Sequence, residues 1–253
     1  MEQGFVKVAS ATPRIRVADP VYNAQVICEQ AKEAAEHGAK IVVFPELCIT
    51  GYTCNDLFLQ ELLLEKAKEA LLTIAEETGQ LETLFLVGLP VDKDGRLYNV
   101  AAVLYRGRIL GMIPKKNIPM YAEFYEGRHF TPGEETVTEY RLGKQVIPFG
   151  SNLLFRCEEL PELILGCELC EDLWVAEPPS TSHALMGATV IANLSASNET
   201  VSKDDYRTLL IKASSARLLC GYIYTSAGEG ESTQDLVFGG HDLIAENGTL
   251  LVQ

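Results

Sequence analysis

The 253-residue sequence has four histidines, one tryptophan and only 21 basic residues against 35 acidic ones. Each scarcity excludes something. The histidines, at 37, 129, 183 and 241, stand far apart, and no His-x₃₋₅-His pair exists. Cys167-Glu-Leu-Cys170 is the lone Cys-x-x-Cys, so a structural zinc site lacks its second pair of ligands. Residues three apart on a strand also point to opposite faces, which would separate those two sulfurs. The net charge of −14 repels nucleic acid and anionic membrane surfaces, and no basic stripe with interleaved aromatics appears. No apolar run approaches the ~18 residues of a membrane span. The start, Met1-Glu-Gln-Gly-Phe-Val-Lys-Val, lacks the basic and apolar regions of a signal peptide. No linker, low-complexity segment or internal repeat is visible. The seven cysteines are odd in number and sit mostly inside apolar patterns, as expected of a reducing, cytoplasmic setting.

What is present is a large apolar fraction, 47%, enough for a sizeable core. A strand is expected at 5–9. Asp19-Pro20 then reads as a helix N-cap and first-turn proline, with Val21, Ala24, Cys28, Ala31 and Ala35 on the inner face. The apolar run 40–44 reads as a buried strand, 56–78 as a helix and 84–87 as a strand. A turn is expected at 92–95, and strands at 100–105 and 109–113 meet at Arg106-Gly107. Pro, Gly, Tyr and charge in 119–150 suggest long loops. Strands follow near 152–156, 163–169, 189–193 and 221–225. Helices are expected at 179–187 and 202–219, the second burying Leu209, Leu210, Ala213 and Leu218. Such interleaving predicts an α/β layered protein. Asn247-Gly248 between apolar runs marks a hairpin, and the stop at Gln253 inside its second strand is expected of a piece of a longer chain.

Three reactive residues interrupt apolar segments at strand ends: Glu46 after Val-Val-Phe-Pro, Lys115 after Met-Ile-Pro, and Cys170 after Leu-Gly-Cys-Glu-Leu. Each has an ordinary alternative, as a helix cap, a solvated strand end or a core thiol. Cys170 is followed by Glu171 and Asp172, and neighbouring carboxylates suppress the thiolate that a nucleophile needs. A base and a cation must therefore reach it from elsewhere. Glu46 and Lys115 complete the set needed to attack a carboxamide or nitrile carbon.

Phe-Pro-Glu46-Leu, Pro-Lys115-x-x-Ile-Pro and Cys170-Glu-Asp-x-Trp resemble, in chain order, the three signatures of the nitrilase (carbon–nitrogen hydrolase) superfamily. The flanks Tyr52-x-x-x-Asp56-Leu, Tyr121-Ala-Glu123-Phe124, Asn193-Leu-Ser-Ala-Ser197-Asn and 228–240 resemble the glutaminase domains of glutamine-dependent NAD synthetases. The resemblance covers nearly all of 1–253 and implies a four-layer α-β-β-α sandwich. It implies that Cys170 attacks glutamine to form a thioester, with Glu46 as acid and base. Lys115 and the backbone N–H of Glu171 would hold the oxyanion, and Glu123 would orient the site. Tyr52, Tyr121, Phe124, Glu171, Trp174 and Ser197 would form the glutamine pocket. Lys115 rather than Lys116 fits the family's offset to Ile118-Pro119. ATP, Mg and deamido-NAD would belong to a synthetase domain, whose Ser-Gly-Gly-x-Asp-Ser loop is lacking here, so no cofactor is expected of these residues. The resemblance also implies a homo-oligomer. Two rival expectations are a stand-alone amidase for another small ω-amide and a silent module for oligomerisation and ammonia channelling.

Overall fold

Strands β1 (Val8–Ser10), β2 (Ile41–Val43) and β3 (Leu84–Lys93) pair in parallel, and β4 (Arg96–Tyr105) and β5 (Arg108–Pro114) continue the sheet antiparallel. β7 (Gln145–Phe149) and the edge strand β6 (Thr138–Leu142) complete seven strands. The second sheet has a parallel centre, β9 (Ile164–Leu169), β10 (Val190–Ser195) and β11 (Gly221–Ser226). It is flanked antiparallel by β8 (Phe155–Arg156) and by β12 (Leu243–Glu246) with β13 (Thr249–Val252). This computed structural model describes residues 4–253. Met1 to Gln3 of the N-terminal stretch read above lie outside the described residues.

The period of two along each strand builds four layers. Ile41, Val43, Leu86, Ala101 and Ile113 face Leu165, Cys167, Leu169, Ala192 and Ile223 across the seam between the sheets. Val42, Phe85, Val87 and Ala102 turn the other way, onto α1 (Pro20–Glu36) and α2 (Glu61–Glu77). Ile191, Tyr222, Tyr224 and Leu243 pack beneath α4 (Lys203–Leu218), beside the short α3 (Pro179–Leu185). Asp19 caps α1 by accepting the Tyr22 N–H at 3.1 Å. Asp94-Gly95, Arg106-Gly107 and Asn247-Gly248 each take positive φ at both residues, the type I′ geometry that suits two-residue hairpins.

Four local expectations change. The helix expected at 56–78 is a 3₁₀ segment, Tyr52–Leu59, followed by α2. Val21 on α1 points to solvent, 69% exposed. β6 and β7 occupy part of the supposed loop region, with Tyr140, Leu142, Ile147 and Phe149 buried in alternation. On α4, Leu209 is 61% exposed and Ala213 is also exposed. Arg207, Ile211, Ser214 and Ser215 are buried in their place. Arg207 satisfies its charge there, donating to Glu199 Oε1 at 2.9 Å, Ser197 Oγ at 3.2 Å and the Asn198 carbonyl at 3.3 Å.

Candidate active site

The carboxyl ends of parallel strands are where open α/β sheets place their sites. Glu46 follows β2, Cys170 follows β9, and Ala196 and Ser197 follow β10. β5 runs in the direction of β3, two antiparallel steps across, so Lys115 emerges at the same end. The chain after β2 crosses directly over Gly88, where a Cβ would lie 2.2 Å from Leu47 N and 2.6 Å from the Pro45 carbonyl. Only glycine permits that approach. Glu46 is seated by it, with its own N–H bonded to the Ser195 carbonyl of the other sheet at 3.3 Å.

Glu46 and Lys115 have no exposed surface. Lys115 Nζ donates to Glu46 Oε1 at 2.7 Å and to both oxygens of Glu126, at 2.7 and 2.9 Å. Asn99 Nδ2 donates to Glu46 Oε1 at 2.7 Å, and the Ala196 N–H to Oε2 at 2.9 Å. Burial lowers the pKa of Lys115, but Glu126 and Glu46 outweigh it and hold that pKa well above the ordinary lysine value. Burial raises Glu126, while Lys115 and the Tyr52 hydroxyl, 2.8 Å from Oε1, favour its charged form.

Cys170 opens a 3₁₀ turn, Cys170–Leu173, with φ +40, a strained angle for a side-chain-bearing residue. Asp172 locks that turn: its Oδ2 accepts the Leu169 N–H at 3.0 Å, while Oδ1 accepts the Asn117 N–H and Nδ2, both at 2.8 Å. The lysine loop and the cysteine turn are thereby tied through one carboxylate. Burial pushes the Cys170 thiol up, as does the Glu46 carboxylate, with Lys115 opposing them. The balance favours the thiol over the thiolate.

Cys170 lines a cavity of about 230 Å³, together with Tyr121, Phe124, Glu171, Trp174, Ser197 and Lys203. That is smaller than the ~300–1,000 Å³ of usual ligand pockets and suits something of amino-acid size. The Tyr121 hydroxyl donates to both Glu171 oxygens, at 3.0 and 2.9 Å. Lys203 Nζ lies 5.3 Å from the Trp174 ring centre and 5.6 Å from that of Phe124, and donates to Asn198 Oδ1. Burial lowers its pKa. Among the described residues, no group of three or more His, Cys, Asp or Glu is placed to hold a metal ion.

The structure thus brings Glu46, Lys115 and Cys170 to one end of the sandwich, while Lys116 pairs with Glu135 near the surface at 2.6 Å. Two assignments move. Glu123 does not touch Lys115; it accepts from Asn198 Nδ2 at the cavity wall, and Glu126 holds the lysine instead. Residues 121–125 turn outward, with Phe124 N bonded to the Tyr121 carbonyl at 2.9 Å, before the 3₁₀ turn Glu126–Arg128 returns Glu126 to the interior. Tyr52 lies behind Glu126 rather than among the residues lining the cavity over Cys170. Lys203 went unnoticed, although its position carried a signal. A cation at the first residue of a helix opposes the macrodipole, so its presence there asks for an anion.

Residues 7–253 match the carbon–nitrogen hydrolase family profile. The chain is 43% identical over 252 residues to a glutamine-dependent NAD(+) synthetase of Mycobacterium tuberculosis, covering all of this chain and 37% of that protein. It is 33% identical over 227 residues to the same-named protein of Thermotoga maritima, covering 88% of this chain and 35% of that one. The chain therefore spans little more than a third of these relatives' length. A solved glutamine-dependent NAD(+) synthetase from Cytophaga hutchinsonii superposes with a TM-score of 0.88 at 29% identity, over 98% of this chain and 40% of that one. An amidase from Nesterenkonia sp. superposes with a TM-score of 0.76 at 21% identity, over 99% and 86% of the two chains, a likeness of fold alone. With the profile match spanning nearly its whole length, the chain belongs to the carbon–nitrogen hydrolase family.

Proposed function

We propose that this chain hydrolyses the side-chain amide of L-glutamine to glutamate and ammonia through a γ-glutamyl thioester on Cys170. The observation that carries this reading is a buried Glu46–Lys115–Glu126 ion triad opening onto a cavity that offers a thiol, the Lys203 cation and the Glu171 carboxylate, with a second carboxylate, Glu123, tied to Asn198. Lys203 complements an α-carboxylate, and Glu171 with Tyr121 complements an α-ammonium. A neutral primary amide at the far end of such a ligand reaches Cys170.

Glu46 is the base. Its three donors occupy three of about four lone-pair positions, leaving one for the thiol proton. Transfer of that proton from sulfur to carboxylate leaves the net charge of the buried site unchanged, which avoids the cost of creating a charge in a low dielectric. Sulfur attacks the amide carbon. The oxygen, now an anion, takes a hydrogen bond from Lys115, redirected from one of its two contacts with Glu126, and another from the Glu171 backbone N–H. Glu46 then protonates the nitrogen as the C–N bond breaks and ammonia leaves. Water, deprotonated by Glu46, attacks the thioester, and glutamate departs with the thiol restored.

The relatives' names couple glutamine to NAD(+) synthesis, and the ammonia released here would serve amidation of deamido-NAD in the ATP- and Mg-dependent part of such a longer protein. The test is glutamate release and intact mass after exposure to glutamine and a panel of other ω-amides. A glutamyl adduct on Cys170 is expected, and Cys170→Ala should release no glutamate. Unchanged release by that variant would sink the nucleophile assignment, and preference for another amide would overturn the substrate.

A further inference from the structure

The acidic loop 227–240 has no part in the chemistry above, yet it reaches the ion triad. Glu231 sits at the start of the 3₁₀ segment Tyr52–Leu59, where Gly51 provides no side-chain cap. Its Oε1 accepts the Tyr52 N–H at 2.7 Å, and its Oε2 accepts the Thr53 N–H at 3.0 Å and the Thr53 hydroxyl at 2.6 Å. The Ser232 N–H closes the ring on Thr53 Oγ1 at 2.9 Å. A carboxylate 179 residues away thus caps the segment as an N-cap aspartate would.

The loop is seated so that the carboxylate arrives there. Gly230 has φ +108, and a Cβ on it would lie 1.9 Å from the Ile15 carbonyl oxygen. The Ile15 N–H in turn bonds the Glu229 carbonyl at 3.2 Å. The loop's other arm returns to the same tyrosine: the Phe238 ring meets Tyr52 edge-on at 5.8 Å between centroids. That arm pairs with Asn198, and the Glu199 N–H bonds the Val237 carbonyl at 2.7 Å. Tyr52 is therefore fixed at its backbone by Glu231 and at its ring by Phe238, while its hydroxyl, 2.8 Å from Glu126 Oε1, is the next link towards Lys115.

We propose that Glu231 is a positioning residue for the hydrolysis: by holding the Tyr52 backbone it sets the Glu126 carboxylate and, through it, the direction of the Lys115 ammonium. The inference rests on the reading of Cys170 as nucleophile beside Lys115, but not on glutamine as the substrate. It is tested in the full protein with Glu231→Ala, the isosteric Glu231→Gln, Tyr52→Phe and the Ala/Phe double variant. The readouts are kcat and KM for amide hydrolysis, the rate of Cys170 alkylation by iodoacetamide at pH 8 mapped by mass, and the urea midpoint.

Glu231→Ala should lower kcat roughly tenfold with KM little changed, the scale of a small misplacement of a reacting group. The double variant should be no slower than Glu231→Ala alone, because both changes break one chain of contacts. Alkylation should slow in parallel, since a displaced ammonium supports the thiolate less well. Glu231→Gln, which keeps shape and one acceptor, should fall between wild type and Glu231→Ala. Multiplying losses in the double variant, or a lowered urea midpoint with kcat and alkylation unchanged, would overturn the proposal. If wild-type protein hydrolyses no amide, the substrate reading fails, and the alkylation rates still decide the role of Glu231.

Discussion

Lys115 keeps its charge with no exposed surface because two carboxylates share it. Removing it strands both. Lys115→Ala is expected to cost about 3–5 kcal/mol, the usual penalty for leaving a buried charge unpaired. Urea unfolding measures that loss, and a change under about 1 kcal/mol would mean that the triad is not held as described. Its position was readable because a lysine breaks an apolar strand end, as were those of Glu46 and Cys170. Glu126 was not readable in the same way. It lies in a stretch crowded with polar residues, and nothing in the chain order distinguishes it from Glu123, three positions earlier. The difference is made by the fold of residues 121–128, which turns one carboxylate towards Asn198 and the other towards Lys115.

At the scale of elements, the crossing over Gly88 decides where Glu46 can sit. Gly88→Ala places a methyl carbon against backbone, at 2.2 Å from Leu47 N, and backbone has no rotamer with which to move aside. We expect a loss of roughly 1–3 kcal/mol or more in denaturant titration. Hydrolysis should fall further than stability, because the displaced residue is the proposed base. Gly88→Ala with normal stability and normal kcat would show that the crossing is not tight. Hydrophobic counting located the helices and most of the strands but misjudged α4, which buries Arg207 and two serines while Leu209 faces outward. Periodicity assumes that the inner face is apolar, and here the inner face is the support for Ser197 and Asn198. β6 and β7 escaped for a related reason. Pro148 and the alternating polar residues suggest loop, yet a hairpin with one buried face carries that very alternation.

For the molecule as a whole, four carboxylates raised by burial favour folding at acid pH, against His183 and His241, which burial lowers and which favour it at neutral pH. Burial raises Asp172 and Asp242 to about 6, from an unfolded value of 3.8. Burial moves Glu168 and Glu231 upward too. Between pH 3.8 and about 6 the folded chain retains protons that the unfolded chain has released. Stability therefore falls as pH rises through that window and stays at the lower level above it. Each of the two aspartates contributes on the order of 3 kcal/mol to the fall across the whole window. Urea unfolding should give a larger free energy at pH 5 than at pH 7.5, and Asp242→Asn should shrink the difference. Greater stability at pH 7.5 would contradict the direction.

The groups proposed to react come from opposite sides of the seam. Glu46 and Lys115 hang from one sheet, while Cys170 and the Ala196 N–H that grips Glu46 hang from the other. Turnover is therefore a gauge of how the sheets are registered on each other. A chain whose sheets had slipped by a fraction of a residue could keep its helices and strands, and its circular dichroism, and still hydrolyse no amide.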